Sequence, residues 1–272
     1  MLDIGQTNRE LFVNFLVDIQ EKLMLSVMTL SLAMNYIDRY MSLACVSTNR
    51  LLLLGVTSLF IASKFEEVVR VPMMAFIEVT DHTCTVNEVQ EMELVILKKL
   101  KFRLAPPTPV SFLQYLSCLP LEDKVVMHFA QYLSELSYQN RRFLVYKPSQ
   151  VAAAALFVSL ELLNPPLLAT ICKCKNLVVD ILHYMPHDVQ CCMQELQELL
   201  QKVDSSSCPA IKRKYSKEGF SYVGTLFDMT AADSPRSISS LKRGNTSTKG
   251  VPKDMRSPKV THTPNGGAEV EL

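Results

Sequence analysis

Lys64-Phe65-Glu66-Glu67 closes the most apolar run of the chain, Leu51–Ala62, and no Gly, Asn or Pro stands between them. Taken alone, charges at a helix end are mostly solvated and carry no special role. Set around apolar side chains, a cation and an anion also make an anchoring patch for a second chain. Residues for bond-breaking chemistry are harder to find. The sequence holds no Gly-rich phosphate loop, nucleophile elbow or paired-carboxylate site. Cys172-x-Cys174 with His183 and His187 has some of the types a zinc site uses. The Cys-x-Cys spacing is short and Pro186 falls between the histidines, so these read as packing or surface residues, with no metal and no cofactor expected. Ser234-Pro235, Ser257-Pro258 and Thr263-Pro264 fit the minimal site of a proline-directed kinase. Lys212-Arg213-Lys214 reads either as an import signal or as a solvated face at the end of the fold.

The elements that must carry these residues are helical. Of the 272 residues 48% are apolar, and before residue 219 the only glycines are Gly5 and Gly55. A sheet protein of this size needs more turn glycines, so the balance favours an all-α fold. Asn8–Lys22 has apolar Leu11, Phe12, Phe15, Leu16 and Ile19 at helical spacing, and Val27–Met41 repeats the pattern. Leu51–Ala62 is apolar all round, which marks a helix surrounded by others. Thr85-Val86-Asn87-Glu88 has the form of a capping box and opens a helix through Leu100. Pro106-Pro107-Thr108-Pro109 stops it. Helices are then predicted at Val110–Leu116, Glu122–Ser137, Val151–Leu163, Leu167–Ile171, Leu177–Leu182 and His187–Val203.

The second half echoes the first. Leu59-Phe60-Ile61 aligns with Leu156-Phe157-Val158, and Asn87-Glu88-Val89-Gln90 with His187-Asp188-Val189-Gln190. Two tandem helical modules are expected, 1–105 and 106–205, followed by a Ser/Thr/Pro-containing tail, 206–272, that is largely disordered. From residue 209 onward there are 11 Lys/Arg against 6 Asp/Glu, and the preceding part carries 17 against 21. A mildly acidic folded part argues against direct nucleic-acid binding, which needs basic surface. No apolar run approaches the roughly 20 residues a bilayer requires and no signal peptide is visible, so a soluble, intracellular protein without membrane contact is expected. The eight cysteines then read as buried free thiols.

NYIDRYMS, LLGVTSLFIASKFEE and EMELVILKKLKF resemble the first cyclin box, and PTPVSFLQYL with KPSQVAAAALFVSLEL resembles the second box of A- and B-type (mitotic) cyclins. Five positions that define the first box are present: Arg9, Asp38, Leu53, Lys64 and Glu93. The resemblance implies two five-helix modules, each around a central helix. It implies a regulatory subunit, not an enzyme, that forms a heterodimer with a cyclin-dependent protein kinase and activates it in cell-cycle control of the G2/M type, in nucleus and cytoplasm. Lys64, Phe65, Glu66, Glu93, Leu97 and Phe102 would then hold the chain flanking the kinase's regulatory helix. Arg9 and Asp38 would form a structural salt bridge between the first two helices.

The resemblance also implies a groove for Arg-x-Leu substrates or inhibitors, formed by Asn8, Leu11, Phe12, Phe15 and Asp18, with Thr48 and Leu52 nearby. The usual opening MRAIL is NRELF here and the usual tryptophan is Phe15. That loses apolar contact worth roughly 25 cal/mol per Å², so weak docking is expected. The usual Tyr-Pro-Pro after FEE is replaced by Val68-Val69-Arg70-Val71-Pro72. The usual degradation signal has no clear counterpart; Arg50–Leu53 and Arg141–Leu144 match Arg-x-x-Leu only as strings. Other readings are a cyclin-fold scaffold that binds DNA-bound factors, as transcription factor B and retinoblastoma pocket proteins do, or a degenerate cyclin that activates no kinase.

Overall fold

The computed structural model describes residues 6–117, 124–163, 179, 181–203 and 209–226. The chain divides into two compact units, Met1–Asp233 and Ser234–Leu272, and the second lies wholly outside the described residues. So do Ser234, Ser257 and Thr263, the tail beyond 226, Cys172, Cys174 and the segment 167–171. Among the described residues there is no strand and no helix long and apolar enough to cross a membrane.

The first module is α1 (Gln6–Lys22), α2 (Val27–Leu43), α3 (Thr48–Glu66), α4 (Met73–Val79) and α5 (Val86–Lys99). Leu51 and every residue from Leu53 to Ser63 are buried in α3, because α1, α2, α4 and α5 all pack on it. Gly55 is where α1 comes closest. A Cβ there would lie 2.7 Å from the Phe12 ring and 2.9 Å from Leu16 Cδ2. Gly55→Ala is therefore expected to destabilise the fold by about 1–3 kcal/mol through overpacking. Urea denaturation of the two chains checks it.

The second module begins with α6 (Pro109–Ser117), α7 (Lys124–Ser137) and α8 (Pro148–Leu163), and after a 3-10 turn at Pro186–Val189 continues in α9 (Gln190–Lys202). Here α8 takes the central place, buried from Val151 to Leu160, with α6, α7 and α9 against it. The four alanines Ala152–Ala155 are wholly buried and let the surrounding helices approach closely.

Three expectations need correction. The tail does not begin at 206: residues 209–226 fold onto the body as α10 (Ala210–Tyr215) and two 3-10 turns, Glu218–Phe220 and Val223–Thr225. Two cysteines read as buried, Cys45 and Cys191, are exposed, whereas Cys84 and Cys192 are buried. Lys212-Arg213-Lys214 is not a freely solvated face. Lys214 lies in the core, 2% exposed, with Nζ donating to both Glu135 carboxylate oxygens at 2.6 and 2.8 Å. The Tyr215 hydroxyl donates to the same carboxylate at 2.9 Å. Burial first, then the Glu135 charge, hold the Tyr215 phenol well above its usual range. Arg213 pairs with Asp18 and Glu21, Lys217 with Glu21 at 2.7 Å, and the Ala210 N–H donates to Asn14 Oδ1 at 2.7 Å. Segment 209–226 is thus a strap that touches α1 of the first module and α7 of the second.

Candidate functional site: an ion pair on an apolar ledge

Lys64 sits in the last turn of α3, where a cation is favoured by the helix dipole. Its ammonium pairs directly with the Glu93 carboxylate on α5 and lies 4.5 Å from the centroid of the Phe60 ring. The two charges, which in sequence look free to engage a partner's backbone, therefore hold one another. Phe65 follows on the same turn and is 49% exposed. Leu97 is half-buried one turn beyond Glu93 on α5.

Phe102 is presented by a tight end to α5. Lys101 and Phe102 have φ of 54° and 56°, the left-handed region that favours glycine. The Phe102 N–H donates to Leu97 O at 3.0 Å and the Lys101 N–H to Lys98 O at 3.1 Å. This turn throws the Phe102 ring outward, 66% exposed. Phe65 and Phe102 flank a groove of about 520 Å³ with Arg39, Arg103, Leu104 and Pro106. The chain under that groove is pinned: the Tyr36 hydroxyl donates to Leu104 O at 2.6 Å and Arg39 Nη1 to Arg103 O at 2.8 Å. Burial raises the Tyr36 phenol far above its usual range, so it remains a donor.

The two acids of the opening stretch part company. Glu66 is exposed beside the site. Glu67 turns back and caps α2, its Oε1 accepting from the Ser26 N–H at 2.7 Å and the Thr29 hydroxyl at 2.5 Å. Position and orientation of α5 begin with its capping box. The Thr85 hydroxyl accepts from the Glu88 N–H at 3.3 Å, and the Glu88 carboxylate accepts from the Thr85 N–H at 2.8 Å. Those bonds lower the Glu88 carboxyl below its usual range. Thr85→Ala is expected to cost about 1 kcal/mol. It should lower Tm by roughly 2–4 °C in calorimetry, with Lys64 and Glu93 untouched.

Arg9 and Asp38 meet in a two-pronged pair at 2.7 and 3.0 Å, joining α1 to α2. Arg9 Nε also donates to Tyr138 O at 2.8 Å, which ties the pair to the second module. Tyr138 is held in turn by Ser31, the hydroxyls 2.5 Å apart. Leu53 is buried in α3.

The proposed groove residues all lie on α1 and differ in exposure. Asn8 and Leu11 are exposed, Phe15 is half-buried, and Phe12 is only 5% exposed because its ring packs over Gly55. Asp18 is already engaged by Arg213 of the strap. In the second module the positions matching Lys64 and Glu93 are Glu161, exposed, and Met193, buried, and these two residue types cannot form the same ion pair. His183 and His187 are described, and His187 Nε2 lies 3.2 Å from Asp188 Oδ1; among the described residues no His, Cys, Asp and Glu group is placed to hold a metal.

Residues 2–105 match the cyclin N-terminal domain and residues 107–228 the cyclin C-terminal domain. The chain is 32% identical over 230 residues to Cyclin-A1-1 of Arabidopsis thaliana, a match covering 83% of this chain and 49% of that relative. It is 33% identical over 243 residues to the G2/mitotic-specific cyclin C13-1 of Daucus carota, covering 87% of this chain and 69% of the relative. The chain thus spans about half the length of the first of these. Its fold is similar to that of a viral cyclin from herpesvirus saimiri, with TM-score 0.63 and 16% identity, over 74% of this chain and 87% of that one. Central helices α3 and α8, the ion pair at the mouth of the first and these two consecutive domain matches lead to one conclusion: the chain belongs to the cyclin family.

Proposed function

We propose that this chain is the regulatory subunit of a cyclin-dependent serine/threonine protein kinase of the G2/M type, and that it binds and activates that kinase without performing chemistry itself. The observation that carries the reading is the Lys64–Glu93 pair set among exposed Phe65 and Phe102 on one face of the first module. Its relative named as G2/mitotic-specific supports the G2/M assignment. On this reading Phe65, Leu97 and Phe102 bury against the kinase and supply affinity, while the two charges take backbone groups and fix register. Holding the regulatory helix inward lets its glutamate pair with the ATP-binding lysine. The activation segment is repositioned with it. The protein would act in nucleus and cytoplasm, and Arg-x-Leu docking on α1 would be weak, because Phe12 is buried and Asp18 is taken.

The test is to titrate the purified chain against purified mitotic-type cyclin-dependent kinases and measure association and histone phosphorylation. A heterodimer with stimulated phosphorylation is expected. Failure to associate with any member of the panel overturns the reading.

A further inference from the structure

Beside the ion pair lies a second surface feature that the reading above leaves unused. A slot of about 460 Å³ opens between the start of α4 and the first turns of α5, lined by Phe60, Arg70, Pro72, Met73, Met74 and Gln90. Its floor is the Phe60 ring, the same ring that lies under the Lys64 ammonium. An edge-on contact with buried Phe76, centroids 5.5 Å apart, fixes that ring in place. Val68 and Val69, which precede Arg70 in the chain, are exposed, and Met74 on the slot's lining is 47% exposed. Single exposed apolar residues are ordinary. These three stand within seven residues of one another, and on α5 exposed Leu94 lies four residues after Gln90 of the slot and three before Leu97.

We propose that this slot is a second subsite for the same kinase partner, taking an apolar side chain with a carboxylate beside it, and that Val69, Arg70 and Met74 determine which kinase the chain accepts. The proposal rests on the kinase-binding reading above. Two observations select the occupant. The slot and the ion pair lie on the same Phe60 ring, so the two are neighbours at the end of α3. The charged side chain lining the slot is Arg70, so an acidic neighbour is attracted and a basic one repelled. Partner choice by attraction and repulsion at the edge of a shared contact is how specificity is ordinarily built.

The experiment uses the full chain and a panel of purified cyclin-dependent kinases that differ in charge at the segment flanking the regulatory helix. Four proteins are compared by equilibrium titration: wild type, Val69→Asp/Met74→Asp, Arg70→Glu, and Lys64→Ala/Glu93→Ala. Val69, Arg70, Met74 and Lys64 are exposed and Glu93 is half-buried, and thermal unfolding checks that each variant folds as the wild type does. Val69→Asp/Met74→Asp should weaken the preferred kinase about tenfold or more. Arg70→Glu should change the order of preference across the panel. If both bind every kinase within about twofold of wild type while Lys64→Ala/Glu93→Ala has lost binding, the subsite is wrong and the ion-pair reading stands. A wild type that binds none of the panel overturns both. A wild type that self-associates through a surface abolished by Val69→Asp/Met74→Asp gives the slot to a second copy of this chain and also overturns the proposal.

Discussion

If the chain activates a cyclin-dependent kinase as proposed, a Lys64→Ala/Glu93→Ala variant is expected to lose that activation by about 100-fold or more while unfolding at nearly the wild-type temperature. The two halves of that expectation have different causes. Lys64 reaches solvent while the Glu93 side chain is 14% exposed, and a pair so placed near the surface contributes about 1 kcal/mol to folding. On the proposed reading the same charges would be desolvated within an apolar contact, where truncation commonly costs about 2–4 kcal/mol each. Each single substitution should therefore fall between wild type and the double variant in both association and histone phosphorylation. Full activation by the double variant would sink the site assignment.

Glu135→Gln, which keeps the shape of the side chain and removes only its charge, should destabilise the fold by about 3–5 kcal/mol. The Glu135 side chain is wholly buried and Lys214 is 2% exposed, so the amide leaves an ammonium in the core without its counter-charge. Lys214 lies over the Tyr215 and Phe220 rings at 5.2 and 5.8 Å, which softens the loss but does not replace the carboxylate. Lys214→Met should cost a similar amount, because it strands the carboxylate instead. Glu135→Leu/Lys214→Met, which removes both charges, should recover much of the stability. Urea midpoints of the four chains decide it; a Glu135→Gln chain within about 1 kcal/mol of wild type would show that the pair is not what fastens the strap.

What can be read from sequence is whatever is written locally. Apolar spacing reveals α1, α2 and the central helices, and Thr85 with Glu88 announces the start of α5 within four residues. The mouth of α3 stands out because three charges follow a long, mostly apolar run. Long-range pairing leaves no such trace. Lys214 sits in a basic triplet that looks solvated, and its partner Glu135 is 79 positions away. Glu67 reads as the twin of Glu66 until a helix 38 to 41 positions earlier is brought to it. Phase is the other gap. Leu11, Phe12, Phe15 and Leu16 form one broad stripe in sequence, and only packing against Gly55 decides that Phe12 and Leu16 turn inward while Leu11 faces out. Helix α4 escapes a sequence reading because seven residues after a proline carry too few turns to show a period.

The strap has a consequence for biosynthesis. Arg213 and Asp18 are 195 positions apart, so at roughly 5–20 residues per second α1 waits roughly 10–40 s on the ribosome before the segment that covers it exists. Through that interval the nascent first module shows an uncovered acidic flank, on which a chaperone or a protease can act before the finished protein closes it.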